Sequence, residues 1–206
     1  MNNICKISDN QYLYRLTITV LGVVLIGIAV AFFRKSGFGT DPFTSMTLAI
    51  SKMLGSSLGV FQLKVKIGLF AIILIVGRKY IGIGTIVNMV FVGFISDFFS
   101  LIIPNVYNIE LRIMFTIIGV TVICLGVALY SSADFGVAPY DAIGWIVEDI
   151  SNQKINYKVS RIVTDAICVL IGMHYGSVIG INTIIMVFFT GPLVQFFKQK
   201  ICNLKK

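Results

Sequence analysis

Apolar positions along the chain fall into long unbroken blocks, not the every-third-residue stripe of a surface helix or the alternation of a half-buried strand. Positions 16–33 carry no charge over 18 residues. As a helix that length spans roughly 27 Å, about one hydrocarbon core. The block 81–103 carries one acid, Asp97, near its far end, and 113–130 and 178–197 carry none. Length alone predicts four membrane helices. Two of the more polar stretches between the blocks open with the same punctuation, "FGTDPF" at 38–43 and "FGVAPY" at 135–140.

The punctuation belongs to a longer repeat. Shifted by 97 positions, Arg15, Thr19, Gly22, Phe38, Gly39 and Pro42 meet the identical Arg112, Thr116, Gly119, Phe135, Gly136 and Pro139. With one further residue, "GIGTI" (82–86) meets "GINTI" (180–184). Matches among apolar letters arise easily by chance; matched Gly, Pro, Thr and Arg in one order do not. An internal duplication is expected, a common construction in transporters. The chain divides into an N-terminal tail (1–14), membrane repeat 1 (15–103), membrane repeat 2 (112–197) and a basic tail (198–206). The fold class expected is all-α: a polytopic transmembrane bundle of two tandem four-segment repeats, with six long helices and two short ones.

Turn chemistry places the short helices. Gly39 and Gly136 permit close or left-handed backbone, and the residue before each proline is driven toward an extended conformation. Pro42 and Pro139 suit the first helical position, where an amide hydrogen would lack a partner. Helices are predicted over about 42–54 and 139–150, with Asp41 as N-cap of one and Asp141 at the third position of the other. Their non-helical leads cannot face lipid, because backbone groups there would go unpaired. Thr44, Thr47 and Ser51 share one helix face, as do the matched Asp141, Gly144 and Glu148. With Asp41 and Tyr140 these are the candidate solute-binding residues, around broken-helix turns at Gly39, Pro42, Gly136 and Pro139. The competing account is a polar seam packed between helices. Negative charge at both caps favours a cation, an amine or a proton over an anion.

The third segments carry Lys64 and Lys66 in one half and Arg161 and Asp165 in the other. Arg161 and Asp165 are four apart and can pair; snorkelling explains Lys64 and Arg161 equally well. Asp141, Glu148 and Asp165 are the candidates for proton or ion coupling, because intramembrane acids are functional by default. His174 is expected in a short loop, and Gly191-Pro192 to kink or weaken the last span.

Composition agrees with the pattern: 57% apolar residues and 13% charged, with mean hydropathy +0.92. The net charge of +8 comes largely from short flanks, including Lys6, Arg15, Lys198, Lys200, Lys205 and Lys206. That asymmetry predicts cytoplasmic termini and no nucleic-acid partner, since there is no soluble domain to carry one. Ala29-Val30-Ala31 imitates a signal-peptidase site, but the matched segment 119–129 cannot be a signal, so the first span is expected to be retained. Cys5, Cys124, Cys168 and Cys202 form no metal or disulfide spacing. No nucleophile–base pair, His/Glu cluster or phosphate loop is written in the chain, so no catalytic residue, metal or cofactor is expected and the protein is read as not an enzyme.

"GVAPYD" (136–141), followed by "GINTIIMVFFTGP" (180–192), resembles the bacterial YczE/YitT-type integral membrane proteins over nearly the whole chain. The first-half copy departs from the pattern, with Thr44 matching Asp141 and Phe94 matching Pro192. The resemblance implies a multi-pass protein of the bacterial cell membrane. Two functions are carried forward. One is a secondary transporter or exporter of a small polar or amphipathic solute through a central site between the repeats. The other is a non-transporting regulatory or assembly protein acting through helix contacts with a partner. Membrane lipids, a small solute and a homo-oligomeric or other protein partner are the expected associations. The repeats are either parallel, with the short helices crossing, or inverted, with them re-entrant; the more unequal division of basic residues favours parallel.

Overall fold

A computed structural model describes residues 12–56, 58–177 and 179–203; the tail assignments resting on Cys5, Lys6, Lys205 and Lys206 lie outside them. Among the described residues the elements are α1 (Tyr12–Ser36), α2 (Pro42–Met53), α3 (Leu58–Val76), a 3-10 turn (Arg78–Tyr80), α4 (Ile83–Ile102), α5 (Ile109–Ser132), α6 (Pro139–Ile150), α7 (Tyr157–His174) and α8 (Ile181–Asn203). The fold is all-α, with six long helices and two short ones. Five of them, α1, α3, α4, α5 and α8, are long and apolar enough to cross a membrane. α7 has 18 residues but carries Lys158, Arg161, Asp165 and His174. His174 is the last residue of that helix, not part of a loop. α8 runs unbroken through Pro192.

The centre of the molecule is the seam between α1 and α5. A side chain added at Gly22 would sit 2.7 Å from the Gly126 carbonyl oxygen, and one at Gly126 would sit 2.8 Å from that of Gly22. The two backbones therefore touch, as small residues allow. Further along, Gly119 lies under the Phe33 ring. At the two ends, Arg15 Nε donates to the Ala133 carbonyl at 2.8 Å and Arg112 Nε to the Ser36 carbonyl at 2.5 Å. Residue numbers rise on one helix as they fall on the other, so α1 and α5 are antiparallel. These are the segments that the 97-residue shift superimposes. An antiparallel pair is the direction that an inverted arrangement of these two segments requires, not the parallel one that the charge count favours.

The extended leads dock onto the starts of distant helices. Gly84 N–H donates to the Phe135 carbonyl at 2.7 Å, and Asn182 N–H to the Phe38 carbonyl at 3.0 Å. Thr183 Oγ1 donates to the Thr40 carbonyl at 2.7 Å, and Asn182 Nδ2 to that of Gly39 at 3.0 Å. Each bond satisfies two needs. A helix's first amide groups have no partner within the helix, and carbonyls of irregular backbone have no water at membrane depth. Gly39 and Gly136 adopt φ +91° and +88°, and a Cβ on Gly39 would lie 2.9 Å from the Gly180 nitrogen. Both positions require glycine twice over, for backbone conformation and for space.

The outer surface is apolar. Ile67, Ile75, Phe91, Phe94, Leu101, Phe188 and Phe196 are all exposed, which inverts the soluble rule and suits a lipid surround.

Two outcomes are expected. Gly136→Ala should cost about 1–3 kcal/mol beyond Gly55→Ala through overpacking, because Gly55 shares a positive φ (+60°) but faces open space. Equal melting temperatures for the two variants in detergent would rule out the docking contact. In membranes of known orientation, single cysteines at Lys35 and Asp134, with Cys5 and Cys202 replaced, should be labelled from opposite sides. Labelling from one side would contradict the antiparallel seam.

Candidate functional site

α2 and α6 each begin as the proline predicts. Asp41 caps α2 with φ −60° and ψ 155°, its side chain accepting from Thr44 N–H at 3.0 Å. α6 starts at Pro139 with Asp141 in its first turn. The second residues of the two helices, Phe43 and Tyr140, stack at a ring-centroid distance of 4.7 Å. The two interrupted elements therefore meet at their N-terminal ends.

A buried charge network lies at this meeting point. Arg161 on α7 bridges two carboxylates, donating from Nη1 to Asp141 Oδ1 and from Nε to Asp165 Oδ2 at 3.3 Å. Tyr130 at the end of α5 donates to the other oxygen of Asp141, and Tyr140 to the other oxygen of Asp165. The guanidinium also lies 4.6 Å from the Tyr140 ring centroid. The side chains of Arg161, Asp141 and Asp165 are only 9%, 11% and 1% exposed. Arg161 does not snorkel; it is held inside by two acids. Asp165 is the ninth residue of α7's 18, midway along the helix.

Three further groups complete the surroundings. Lys66, at the middle of α3, lies within electrostatic reach of both Asp41 and Asp141, and makes no hydrogen bond or ion pair among the described residues. Asp41 Oδ1 is buried without a hydrogen-bond partner, as is the Tyr157 hydroxyl. The Tyr157 ring stacks on Trp145 at 4.0 Å, and Tyr157 is within reach of Asp141, Arg161 and Asp165. Counted together, Asp41, Asp141 and Asp165 face two cations, Lys66 and Arg161.

The structure thus brings Asp41, Tyr140, Asp141 and Asp165 together. It treats the other candidates differently. Thr47 Oγ1 donates to the Phe43 carbonyl at 2.9 Å and Ser51 Oγ to the Leu48 carbonyl at 2.9 Å. Gln62 Nε2 on α3 donates to Thr44 and Thr47 Oγ1 at 3.1 and 3.3 Å. Gln62 thus joins α3 to Thr44 and Thr47, while the Ser51 hydroxyl is satisfied within its own helix. Glu148 is half-buried two turns beyond Asp141, toward the α6 end where Asp149 pairs with Lys79. Lys64 points outward. Asp97, near the far end of its apolar block, pairs with Arg34 at 2.5 Å.

Tyr130, Tyr157, Lys66 and Gln62 were not singled out from the sequence as binding residues, and Arg161 was read equally as a snorkelling side chain. A signal for Tyr130 and Tyr157 exists in the mismatches of the 97-residue shift. Phe33 becomes Tyr130, Phe43 becomes Tyr140, Thr44 becomes Asp141, Val60 becomes Tyr157 and Gly68 becomes Asp165. Gln62 and Lys66 run the other way, matching the apolar Val159 and Val163.

The chain is 24% identical over 180 residues to "Uncharacterized protein YyaS" of Bacillus subtilis, covering 86% of this chain and 89% of the relative. It is 22% identical to "Uncharacterized membrane protein YczE" of the same organism, covering 90% and 86%. An "Uncharacterized protein" of Haemophilus influenzae is 23% identical, covering 92% and 85%. No solved structure matches. These bacterial relatives and the apolar helices describe a multi-pass membrane protein, and the match of residues 13–199 to one family model, a family of unknown function, shows that the chain belongs to the DUF6198 family.

Proposed function

We propose that the protein is a proton-linked secondary carrier for a small polar or amphipathic solute, handled where the N-terminal ends of α2 and α6 meet. The observation that carries this reading is the charge imbalance of the central group, three carboxylates against two cations, of which Asp141, Asp165 and Arg161 are buried and Asp41 and Lys66 half-buried. Dry surroundings disfavour an uncompensated charge strongly. A proton, or a solute bearing a cationic amine, restores the balance. Asp41 Oδ1 and the Lys66 amine, both without a hydrogen-bond partner among the described residues, are the groups with bonding capacity to offer a solute. The antiparallel relation of the matched segments supports reading the chain as an inverted repeat, with α2 and α6 re-entrant. That construction suits a site shared between halves that rock against each other. Proton coupling is assigned to the Asp141–Arg161–Asp165 group, and the terminal basic residues support cytoplasmic termini.

One observation favours a second reading, a regulatory or assembly protein that transports nothing. Both oxygens of Asp141 and both of Asp165 already have protein partners, as in a purely structural network.

A thermal-shift screen of purified protein against amines and polar metabolites across pH separates the two. The carrier reading expects at least one compound to stabilise the wild type and not Asp141→Asn. A screen without a hit, or Asp141→Asn responding as the wild type does, leaves the second reading standing. The network itself makes a separate prediction. Arg161→Ala leaves two acids buried without their cation, which should cost about 3–5 kcal/mol. Adding Asp141→Asn and Asp165→Asn to that variant should recover much of the loss in melting temperature.

A further inference from the structure

A second polar feature lies far from the central network, at the end of the bundle where α1 stops and α4 ends. An open surface depression of about 480 Å³ is lined there by Arg34, Lys35, Asp97, Ser100, Leu101 and Asn105. Arg34 uses only Nη1, which contacts Asp97 Oδ1 at 2.5 Å and Ser96 Oγ at 3.3 Å. Its Nε and Nη2 have no partner among the described residues. Lys35 Nζ donates to Asn105 Oδ1 at 2.7 Å, with two hydrogens left over. Ser100 Oγ is buried and unpartnered. The lining therefore has surplus donors and a net positive charge, since one acid faces two bases.

We propose that this depression binds a phosphoryl group, and that its occupant in the membrane is the headgroup of an acidic phospholipid. Phosphate oxygens are pure acceptors that match a guanidinium, an ammonium and a hydroxyl together. What selects a lipid over a free anion is the surface leading to the depression. Phe94, Phe98 and Leu101 are 70%, 60% and 88% exposed. Spaced i, i+4, i+7, they form one outward apolar stripe on α4 that ends at the depression's own Leu101. A headgroup held by Arg34 and Lys35 has its acyl chains lying along that stripe. The depression's position at the helix ends gives headgroup depth, where basic side chains recognise anionic lipids.

The test uses the full chain in phosphatidylcholine nanodiscs, with retained lipid read by native mass spectrometry and stability by melting temperature. Phosphatidylglycerol should be retained in preference to phosphatidylcholine and should raise the melting temperature. Lys35→Gln should reduce that preference by about tenfold, the loss of one charge-assisted contact. Ser100→Ala, which removes no charge and no hydrogen bond within the protein, should reduce it in the same direction. Raising ionic strength should weaken the preference in the wild type. Inorganic phosphate stabilising the protein as well as phosphatidylglycerol does would overturn the lipid as occupant. Equal retention of the two lipids, or a preference unchanged in both variants, would overturn the site.

Discussion

The structure depends on a reciprocal bond between irregular backbone and helix starts. A membrane protein that interrupts its helices exposes carbonyls to a medium with nothing to offer them. Every helix that begins at depth has the opposite shortage, amide hydrogens without acceptors. Here each shortage answers the other. The carbonyls of Phe135 and Phe38 accept from the first turns of α4 and α8 respectively. Glycine at 39, 82, 136 and 180 lets the partners approach to a distance no side chain permits. The "GIGT" and "GINT" segments and the two Phe-Gly turns are therefore matching halves of one contact, made twice.

That contact positions the chemistry. Once the leads are pinned, α2 and α6 must start near each other, and Phe43 meets Tyr140. Asp141 then falls against Arg161 on α7, which also holds Asp165. A buried pair rarely gains much stability over an apolar replacement, and breaking it is costly. An arrangement with one carboxylate too many is harder still to explain by packing alone. The first half supplies only Asp41 and Lys66 to it: Phe33, Phe43, Thr44 and Gly68 occupy the positions matched to Tyr130, Tyr140, Asp141 and Asp165. The molecule is two-fold in backbone contacts and uneven in charge.

The periphery follows a different logic. α3 and α4 turn most of their large apolar side chains outward, so their composition answers to lipid more than to protein neighbours. The seam of α1 with α5 relies on small residues and close backbone instead. Stability inside and solvation outside are thus assigned to different helices.

Much of this architecture is legible along the chain. Apolar block length predicts the long helices, because a bilayer imposes one dimension on every crossing. Proline and glycine predict where α2 and α6 begin: the expected 139–150 matches α6, and the expected end of α2 at 54 is its C-cap residue. Those are local rules, set by sterics within a few residues. Direction and pairing are not local. Whether α1 and α5 run parallel or antiparallel shows only in the order of their contacts, Arg15 with Ala133, Gly22 with Gly126 and Ser36 with Arg112, residues far apart in sequence. Whether Arg161 reaches water or two acids depends on α6 delivering Asp141 to it. The hydroxyls of Thr44, Thr47 and Ser51 share a face by helical spacing, but only the fold brings Gln62 of α3 onto Thr44 and Thr47. By itself the sequence determined which segments are helical and where they break, since those follow from chain sterics and solvent thickness. The tertiary structure alone decided which polar groups meet, since that follows from contacts between segments the chain keeps apart.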